Sequence, residues 1–133
     1  MSSTPVFVQT PKIVSLALTN ATTEQALFTA AAAEKVVAVI VTSSEAGAII
    51  VKLSYTRGGT AYFMTAASVA AGSGINGTAA TTDLLASTLI PGLPIDNDGQ
   101  RYFFLQSGDV LNATAVTAHS SSTIHVTVIY ADF

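Results

Sequence analysis

The spacing most suggestive of chemistry is a glycine motif in the middle of the chain. Residues 72–77, GSGING, match G-x-G-x-x-G, in which glycines let the backbone approach a pyrophosphate at the start of a helix. A dinucleotide site also requires a buried parallel strand directly before the motif, whereas residues 66–71 are a weak, alanine-rich lead-in. The flanking segments alternate as antiparallel strands do. We therefore interpret the motif as a flexible loop.

An acidic segment, residues 96–99 (DNDG), carries closely spaced oxygens of the kind that wrap a calcium ion. EF-hand spacing would place an acidic residue where Ser107 stands, and the glycine arrives too early. The composition is typical of a β-turn, and we predict a turn leading into a strand at Arg101. A weak structural ion near Asp96 and Asp98 stays open as an alternative.

The histidines and carboxylates are the remaining candidates for catalysis. His119 falls in a predicted turn and His125 in the last predicted strand, with no third metal ligand in view. Serine is abundant, but no G-x-S-x-G motif marks a nucleophile. Glu24, Glu34 and Glu45 fall in or beside predicted turns and suggest no carboxylate pair for glycoside hydrolysis. We predict no enzyme activity, no cofactor and no metal site.

The composition excludes several further classes of protein. The 133 residues suit one domain, and the absence of cysteine excludes disulfide frameworks, thiolate zinc sites and a cysteine nucleophile. Five scattered basic residues and a net charge of -3 give no electrostatic footprint for nucleic acid. Mean hydropathy is +0.54, yet the longest apolar stretch, residues 26–41, is interrupted by polar residues and too short to span lipid. The N-terminus has no signal sequence, so we expect assembly in the cytoplasm and no membrane contact.

Short segments of alternating polarity, separated by turns, predict antiparallel strands. The clearest covers residues 123–130, and we expect it to follow two neighbouring strands, at residues 101–106 and 110–117, with residues 118–122 closing a hairpin. The N-terminal half predicts further strands at residues 14–18, 25–29, 35–42, 49–55 and 61–65. Residues 35–42 are almost continuously apolar, which is typical of a strand covered on both faces. A competing helix over residues 23–41 is rejected because its valine run has no polar stripe at helical spacing.

These elements predict an all-β fold: an antiparallel β-sandwich or jelly roll with about eight short strands and one long Gly/Ala-rich loop at residues 66–80. Residues 82–90 form either a short helix or another strand. We divide the chain into an extended N-terminal arm, residues 1–12, and a single β-sandwich domain, residues 13–133. The candidate interface residues are the apolar arm and the terminal aromatic, namely Thr4, Pro5, Val6, Phe7, Val8 and Phe133.

The predicted outward faces of the strands carry little charge. Ser and Thr outnumber charged residues 31 to 13, and Ile50 and Ile129 fall on faces where a free monomer would carry Lys or Glu. Such faces are better explained if neighbouring molecules cover them. The alternative is a monomer whose threonines reflect β-propensity alone.

The order of features resembles small β-sandwich virion proteins of tailed bacteriophages, of the capsid decoration (cement) type. The resemblance is carried by residues 18–20 (LTN), 27–29 (LFT), the lysine-led valine strand 35–41, the strand 49–55, the turn 107–111 (SGDVL) and the closing 128–130 (VIY). Many such proteins have a Pro-Ala-Gly-Lys turn before the valine strand, where this chain has Ala33, Glu34 and Lys35.

The resemblance implies a structural virion protein, often trimeric, whose partners are the major capsid protein or other virion proteins. The alternative is a tail, fibre or head-fibre component with a glycan- or receptor-binding sandwich, for which exposed aromatic platforms are expected. Because the aromatics at residues 62–63 and 102–104 fall within predicted strands, we expect them in the core.

Overall fold

The chain folds entirely into β-strands and turns over residues 10–20 and 23–132, the part described by the computed structural model. Nine strands are formed, and the described residues contain no helix. In chain order the strands are β1 (Thr10–Ala17), β2 (Gln25–Thr29), β3 (Glu34–Ser43), β4 (Ile49–Arg57), β5 (Thr60–Val69), β6 (Thr82–Asp83), β7 (Phe103–Leu105), β8 (Val110–Ala115) and β9 (Ile124–Asp132). It follows that no helix within these residues is long and apolar enough to cross a membrane.

The strands form two antiparallel sheets. The β1 sheet has the order β1-β9-β3, with β6 and β7 both pairing the far edge of β3, and the β2 sheet has the order β2-β8-β4-β5. The pairs β1·β9, β2·β8, β3·β6/β7 and β4·β5 are those of one long antiparallel hairpin wrapped into a sandwich. This topology is a jelly roll. The predicted fold class is confirmed, with nine strands because β6 and β7 share one position beside β3.

The pairing of the last three strands differs from the prediction. β7 and β9 lie in the β1 sheet, whereas β8 lies between β2 and β4 in the other sheet. Residues 116–123 therefore cross between the sheets, and the predicted hairpin is wrong. Only β4 and β5 pair as sequence neighbours, through a two-residue turn at Gly58 and Gly59 with φ of 60° and 81°, the positive values that a type I′ hairpin turn requires.

The core lies between the sheets and is built from the inward positions of alternating strands. In β9, Ile124, Val126 and Val128 are fully buried, as the alternation predicts. Phe28 and Tyr130 stack across the sandwich, with ring centroids 4.1 Å apart. The remaining large, fully buried side chains include Leu18, Leu53, Leu84, Leu85, Leu105 and Leu111. Residues 82–90 thus contribute to the core from a two-residue strand and turns, not from a helix.

β5 extends further than predicted and shortens the long loop. Its inward Ala67 and Val69 pair with Val51 and Ile49 of β4. Alanine and serine at the intervening positions give little contrast in polarity, so the alternation is hidden in the sequence. The loop therefore covers residues 70–81 and not 66–80.

β3 is fully covered on its inner face and partly covered on its outer face. Val36, Val39 and Val41 are fully buried against the core, whereas the outward Ala38 and Ile40 are half-buried. On the outer face Lys35, near the start of the strand, is 8% exposed. Cover on both faces, which the sequence predicts, is therefore complete only at that end of β3.

Candidate interaction surface

The outer face of the β1 sheet is a charge-poor surface built from regular structure. Strand register places its side chains in rows across β1, β9 and β3. We call Ile13, Ile129 and Ala38 the apolar row. The rows beside it are Ser15, Thr127 and Ile40, then Ala17, His125 and Thr42, and on the other side Pro11, Ala131, Lys35 and Phe104.

Large apolar side chains on this face are open to solvent. Ile13 is 68% exposed, Phe104 50% and Ile129 37%. The neighbouring Ser15 and Thr127 hydroxyl groups hydrogen-bond each other at 3.0 Å, which leaves them less in need of water. The face therefore presents apolar side chains and hydroxyl groups that are hydrogen-bonded to each other, a composition typical of a surface that a partner covers.

Two charged residues border this face, and they differ in their surroundings. Lys35 Nζ donates to Asp96 Oδ2 at 2.9 Å and lies 4.5 Å from the centre of the Tyr102 ring, so its charge is neutralised. Asp83, paired with Ile40 at the sheet edge, accepts a hydrogen bond from the Leu85 N–H at 2.9 Å. Its carboxylate is exposed and keeps its negative charge.

The outer face of the β2 sheet is different. Its central polar side chains, Ser54, Asn112 and Thr114, are only 1–5% exposed, so the middle of that face is already shielded. Ile50, 43% exposed, lies near one end of it. Exposed apolar side chains thus occur on both sheets, and the β1 sheet differs in that Ile13 and Ile129 are direct neighbours across two strands.

The acidic segment forms the predicted β-turn. Asp96 Oδ1 accepts hydrogen bonds from the Asp98 and Gln100 N–H groups, both at 2.9 Å, and the Gly99 N–H donates to the Asp96 carbonyl. The Lys35 ammonium, followed by these backbone N–H groups, lowers the pKa of Asp96. Lys35 thus supplies the positive charge at this carboxylate. Within residues 10–20 and 23–132, no group of three or more His, Asp, Glu or Cys residues is placed to hold a metal ion.

The glycines of the motif have a structural role in the loop that contains them. Gly72 and Gly74 have φ of 68° and 75°, and a Cβ on Gly74 would lie 2.7 Å from Thr42 Cγ2. The Ser43 N–H donates to the Ser73 carbonyl at 3.0 Å, which fastens the loop to β3. The motif leads into the antiparallel strand β6 and no helix follows it, so the structure lacks the βαβ setting of a dinucleotide site. An open cleft of about 460 Å³ beside residues 74–81 has no charged lining.

The histidines and Glu45 tie loops together at one end of the sandwich. His119 Nδ1 lies 2.7 Å from the Ser120 carbonyl, and His125 Nε2 lies 3.0 Å from the Ser122 carbonyl. Glu45 accepts from the Ser120 N–H at 3.3 Å, and hydrogen bonding to Thr123 is the main reason that its pKa is lowered. Each imidazole therefore faces a backbone carbonyl, and these contacts form neither a metal pair nor a Ser-His-Asp arrangement.

The opposite end is held by an ion pair. Arg57, which closes β4, donates from Nε and Nη2 to the two carboxylate oxygens of the buried Asp109, at 2.8 and 2.6 Å. The Gln106 N–H adds a third hydrogen bond at 2.8 Å. The Arg57 hydrogen bonds are the largest cause that lowers the pKa of Asp109. The Gly-Asp turn named in the sequence resemblance thus has a structural role.

The expectation that the aromatic clusters are core residues is only partly correct. Phe103 is buried, but Phe63 is 62% exposed, Phe104 50% and Tyr62 47%. β5 and β7 lie at sheet edges, where no further strand covers them. Lys52 Nζ lies 5.1 Å from the centre of the Phe63 ring. Composition identified these strands, but not their edge positions.

The candidate interface residues Thr4, Pro5, Val6, Phe7, Val8 and Phe133 lie outside the described residues. Their attachment points are described: Thr10, the first residue of β1, pairs with Asp132, the last of β9. The segments before Thr10 and after Asp132 therefore leave the fold at the same corner of the β1 sheet. Sequence reasoning identified Ile129 on the open face but missed Ile13 and Phe104, for which strand register was the missing information.

No protein-family model matches the sequence, and no curated protein matches it. Among solved structures, the chain is similar to a pentameric capsid protein isolated from metagenomic phage sequences, seen in two crystal structures. Each shares 15% identity over 90% of this chain, with a TM-score of 0.43. The match covers 67% of one capsid chain and 59% of the other.

The chain is also similar to the CBM22-1-GH10 modules of the N-terminal endo-1,4-beta-D-xylanase 10B of Clostridium thermocellum, complexed with xylohexaose. This match has 12% identity, covers 89% of this chain and 25% of that one, and has a TM-score of 0.39. Phage capsid proteins thus stand among the similar structures. At TM-scores below 0.5, these similarities assign neither function nor partner.

Proposed function

We propose that this protein is a structural component of a phage particle: a capsid decoration (cement) protein that stabilises the head by binding across capsid subunits. The observation that carries the proposal is the outer face of the β1 sheet, where Ile13 and Ile129 are exposed and the bordering Lys35 is neutralised by Asp96. A surface of this kind is suited to being covered in an assembly.

A cement protein needs contact area on several capsid subunits but no catalytic group. Modest contacts add up when one protein binds several neighbours at once, because each further contact forms at high effective concentration. The described histidines and the carboxylates of Glu45, Asp96 and Asp109 make structural contacts, which agrees with a protein that acts by binding.

We further propose that the arm residues Thr4–Val8 and the terminal Phe133 contribute to the interface. The arm is apolar and uncharged, and both segments leave the corner beside Pro11 and Phe104 of the open face. Residues 10–12 belong to β1, so the arm in this proposal comprises residues 1–9. Localisation in the virion and a homo-oligomer, with a trimer as the expected stoichiometry, belong to the same proposal.

A capsid-binding assay combined with native mass spectrometry tests this function. The full chain is added to phage heads prepared without it, and occupancy and resistance of the heads to heat are measured. We expect saturable binding, more heat-resistant heads and lower occupancy after deletion of residues 1–9. A protein that stays monomeric and leaves the heads bare would refute the decoration role.

A second candidate function is glycan or receptor binding in a tail or fibre. It is favoured by the exposure of Tyr62 and Phe63 on β5, and Tyr62 stacks on Tyr55 with centroids 5.4 Å apart. A glycan array tests it, with Tyr62→Ala as the informative variant and Ile13→Ala as the matched control. Reproducible binding that Tyr62→Ala alone abolishes would favour this candidate over the capsid role.

A further inference from the structure

We propose that the outer face of the β1 sheet receives arm residues Thr4–Val8 of a second copy of this chain. The inference deepens the proposed function, on which it rests, by naming the partner that covers this face.

The first argument is the mismatch between the sequence of β3 and its surroundings. Its apolar residues continue through both faces, as in strands that are covered on both sides, yet Ala38 and Ile40 are only half-buried in the single chain. In the row beside them, Ile13 and Ile129 stay exposed. A second layer over this face would bury the side chains that the isolated chain leaves in water.

The second argument is the match in charge. Residues 1–9, MSSTPVFVQ, contain no charged side chain, and Lys35 at the edge of the face is neutralised by Asp96 at 2.9 Å. Over the apolar row of Ile13, Ile129 and Ala38, a charged partner segment would lose hydration with no opposite charge beside it. The uncharged, apolar arm incurs no such penalty.

The third argument is direction. β1 begins at Thr10 and runs away from the corner where the arm is attached, so an arm reaching its own sheet would have to reverse direction. Such a reversal would have to occur next to Thr10, where residues 6–9 (VFVQ) contain none of the common turn-forming residues Gly, Pro, Asn, Asp and Ser. An arm that continues outward reaches a neighbouring molecule.

The fourth argument is size. Three strand spacings of about 4.8 Å and eight residues of about 3.3 Å give the face an area of roughly 400 Å². A typical stable interface buries about 800 Å² on each partner, so flat stacking of two such faces falls short. An arm laid on each face adds contact area, and nine residues reach up to about 30 Å when extended, enough to cross the face.

Cysteine cross-linking between two differently substituted chains tests the proposal. Because the sequence has no native cysteine, a disulfide can form only between the introduced thiols. One population carries Val6→Cys and the other Ile129→Cys, and they are mixed under mild oxidation without capsids. We expect a disulfide between residues 6 and 129, identified by the mass of the linked peptides. The matched control replaces Ile129→Cys by Ile50→Cys, which places an exposed thiol on the other sheet.

Two results would overturn the inference. One is linkage of residue 6 to residue 129 no stronger than to residue 50. The other comes from a third sample, in which each chain carries both Val6→Cys and Ile129→Cys. If a disulfide forms within such single chains but not between the singly substituted chains, the arm covers its own sheet. Identical unfolding temperatures of all variants show that the fold is intact.

Capsid binding is measured separately, so the two proposals can fail separately. If residues 6 and 129 are linked between copies but the protein does not attach to heads, the contact between arm and sheet is supported and the decoration role is refuted. If the protein attaches to heads but no linkage forms, the decoration role is supported and the contact between arm and sheet is refuted. As a second readout, deletion of residues 1–9 and Ile13→Asn should each lower the oligomer fraction in sedimentation, whereas Ile50→Asn should not.

Discussion

Arg57 and Asp109 join the end of β4 to the turn before β8 through two hydrogen bonds, of 2.8 and 2.6 Å. Asp109 is buried, whereas the Arg57 side chain remains 42% exposed and lies over the Tyr55 ring. The same turn is fastened to the end of β2, because the Gly108 N–H donates to the Ala30 carbonyl and the Ala30 N–H to the Asp109 carbonyl, both at 2.8 Å. The Gly108-Asp109 turn thus connects the ends of β2 and β4, through its backbone to Ala30 and through the Asp109 carboxylate to Arg57.

Replacing Asp109 should destabilise the fold. Asp109→Asn keeps the shape of the side chain but removes the charge that receives the hydrogen bonds of Arg57, and we expect a loss of about 1.5–3 kcal/mol in the free energy of unfolding. Urea denaturation measures it. Asp98→Asn, an exposed aspartate in the neighbouring acidic turn, is the control and should change stability by less than about 0.5 kcal/mol. Equal effects of the two substitutions would contradict the assigned role.

The stabilising effect of Asp109 should depend on pH. Its pKa is lowered in the folded chain, chiefly by the hydrogen bonds from Arg57. A lowered pKa means that the contribution is complete above the unfolded value of about 3.9 and is lost as the pH falls through the folded value. The difference in unfolding free energy between wild type and Asp109→Asn should therefore be constant from pH 5 to 8 and shrink in stronger acid. If the difference in unfolding free energy instead grows below pH 4, the pH dependence has the opposite sign and the prediction is refuted.

The loop glycines should differ in their tolerance of alanine. Gly74→Ala combines a positive φ of 75° with a Cβ placed 2.7 Å from Thr42 Cγ2, whereas Gly77→Ala has a similar φ of 79° and open space. Both should lose about 1 kcal/mol for the backbone conformation, and Gly74→Ala should lose more because Thr42 must move. Thermal unfolding of the two variants measures the difference. Equal unfolding temperatures would show that the loop is not packed against β3.

Self-association should depend little on salt. Lys35 at the edge of the open face is paired with Asp96, and the proposed arm carries no charged side chain that could attract the exposed Asp83. Screening therefore has no long-range attraction to weaken. We expect the dissociation constant to change by less than about threefold between 50 and 500 mM NaCl, or association to strengthen as salt favours apolar burial. A tenfold weakening in sedimentation experiments would indicate an electrostatic interface.

Sequence alternation predicted the strands well where inward and outward residues differ in polarity. β9 and β4 are the clearest cases, because valine, isoleucine and leucine alternate with polar residues there. The prediction ended β5 too early because its alanine and serine residues differ little in polarity. Alternation also reports which face of a strand is buried but not which strand lies beside it, and this is why the hairpin predicted over residues 118–122 is a crossing between sheets.

The interaction surface was predictable only in part for the same reason. The low charge and the outward Ile129 are visible in the sequence. The apolar row is not, because Ile13, Ile129 and Ala38 are far apart in the chain and meet only through the β1-β9-β3 register. Likewise Phe63 and Phe104 look like core residues until the sheet order places β5 and β7 at edges.

The position of β9 between β1 and β3 has a consequence for synthesis. β9 is the central strand of its sheet and is synthesised after the other eight described strands, so β1 and β3 lack their shared partner until β9 has left the ribosome. Loop closure over such long separations is slow. During that interval the edge of β3 that later pairs with β9 is open to pairing with another chain.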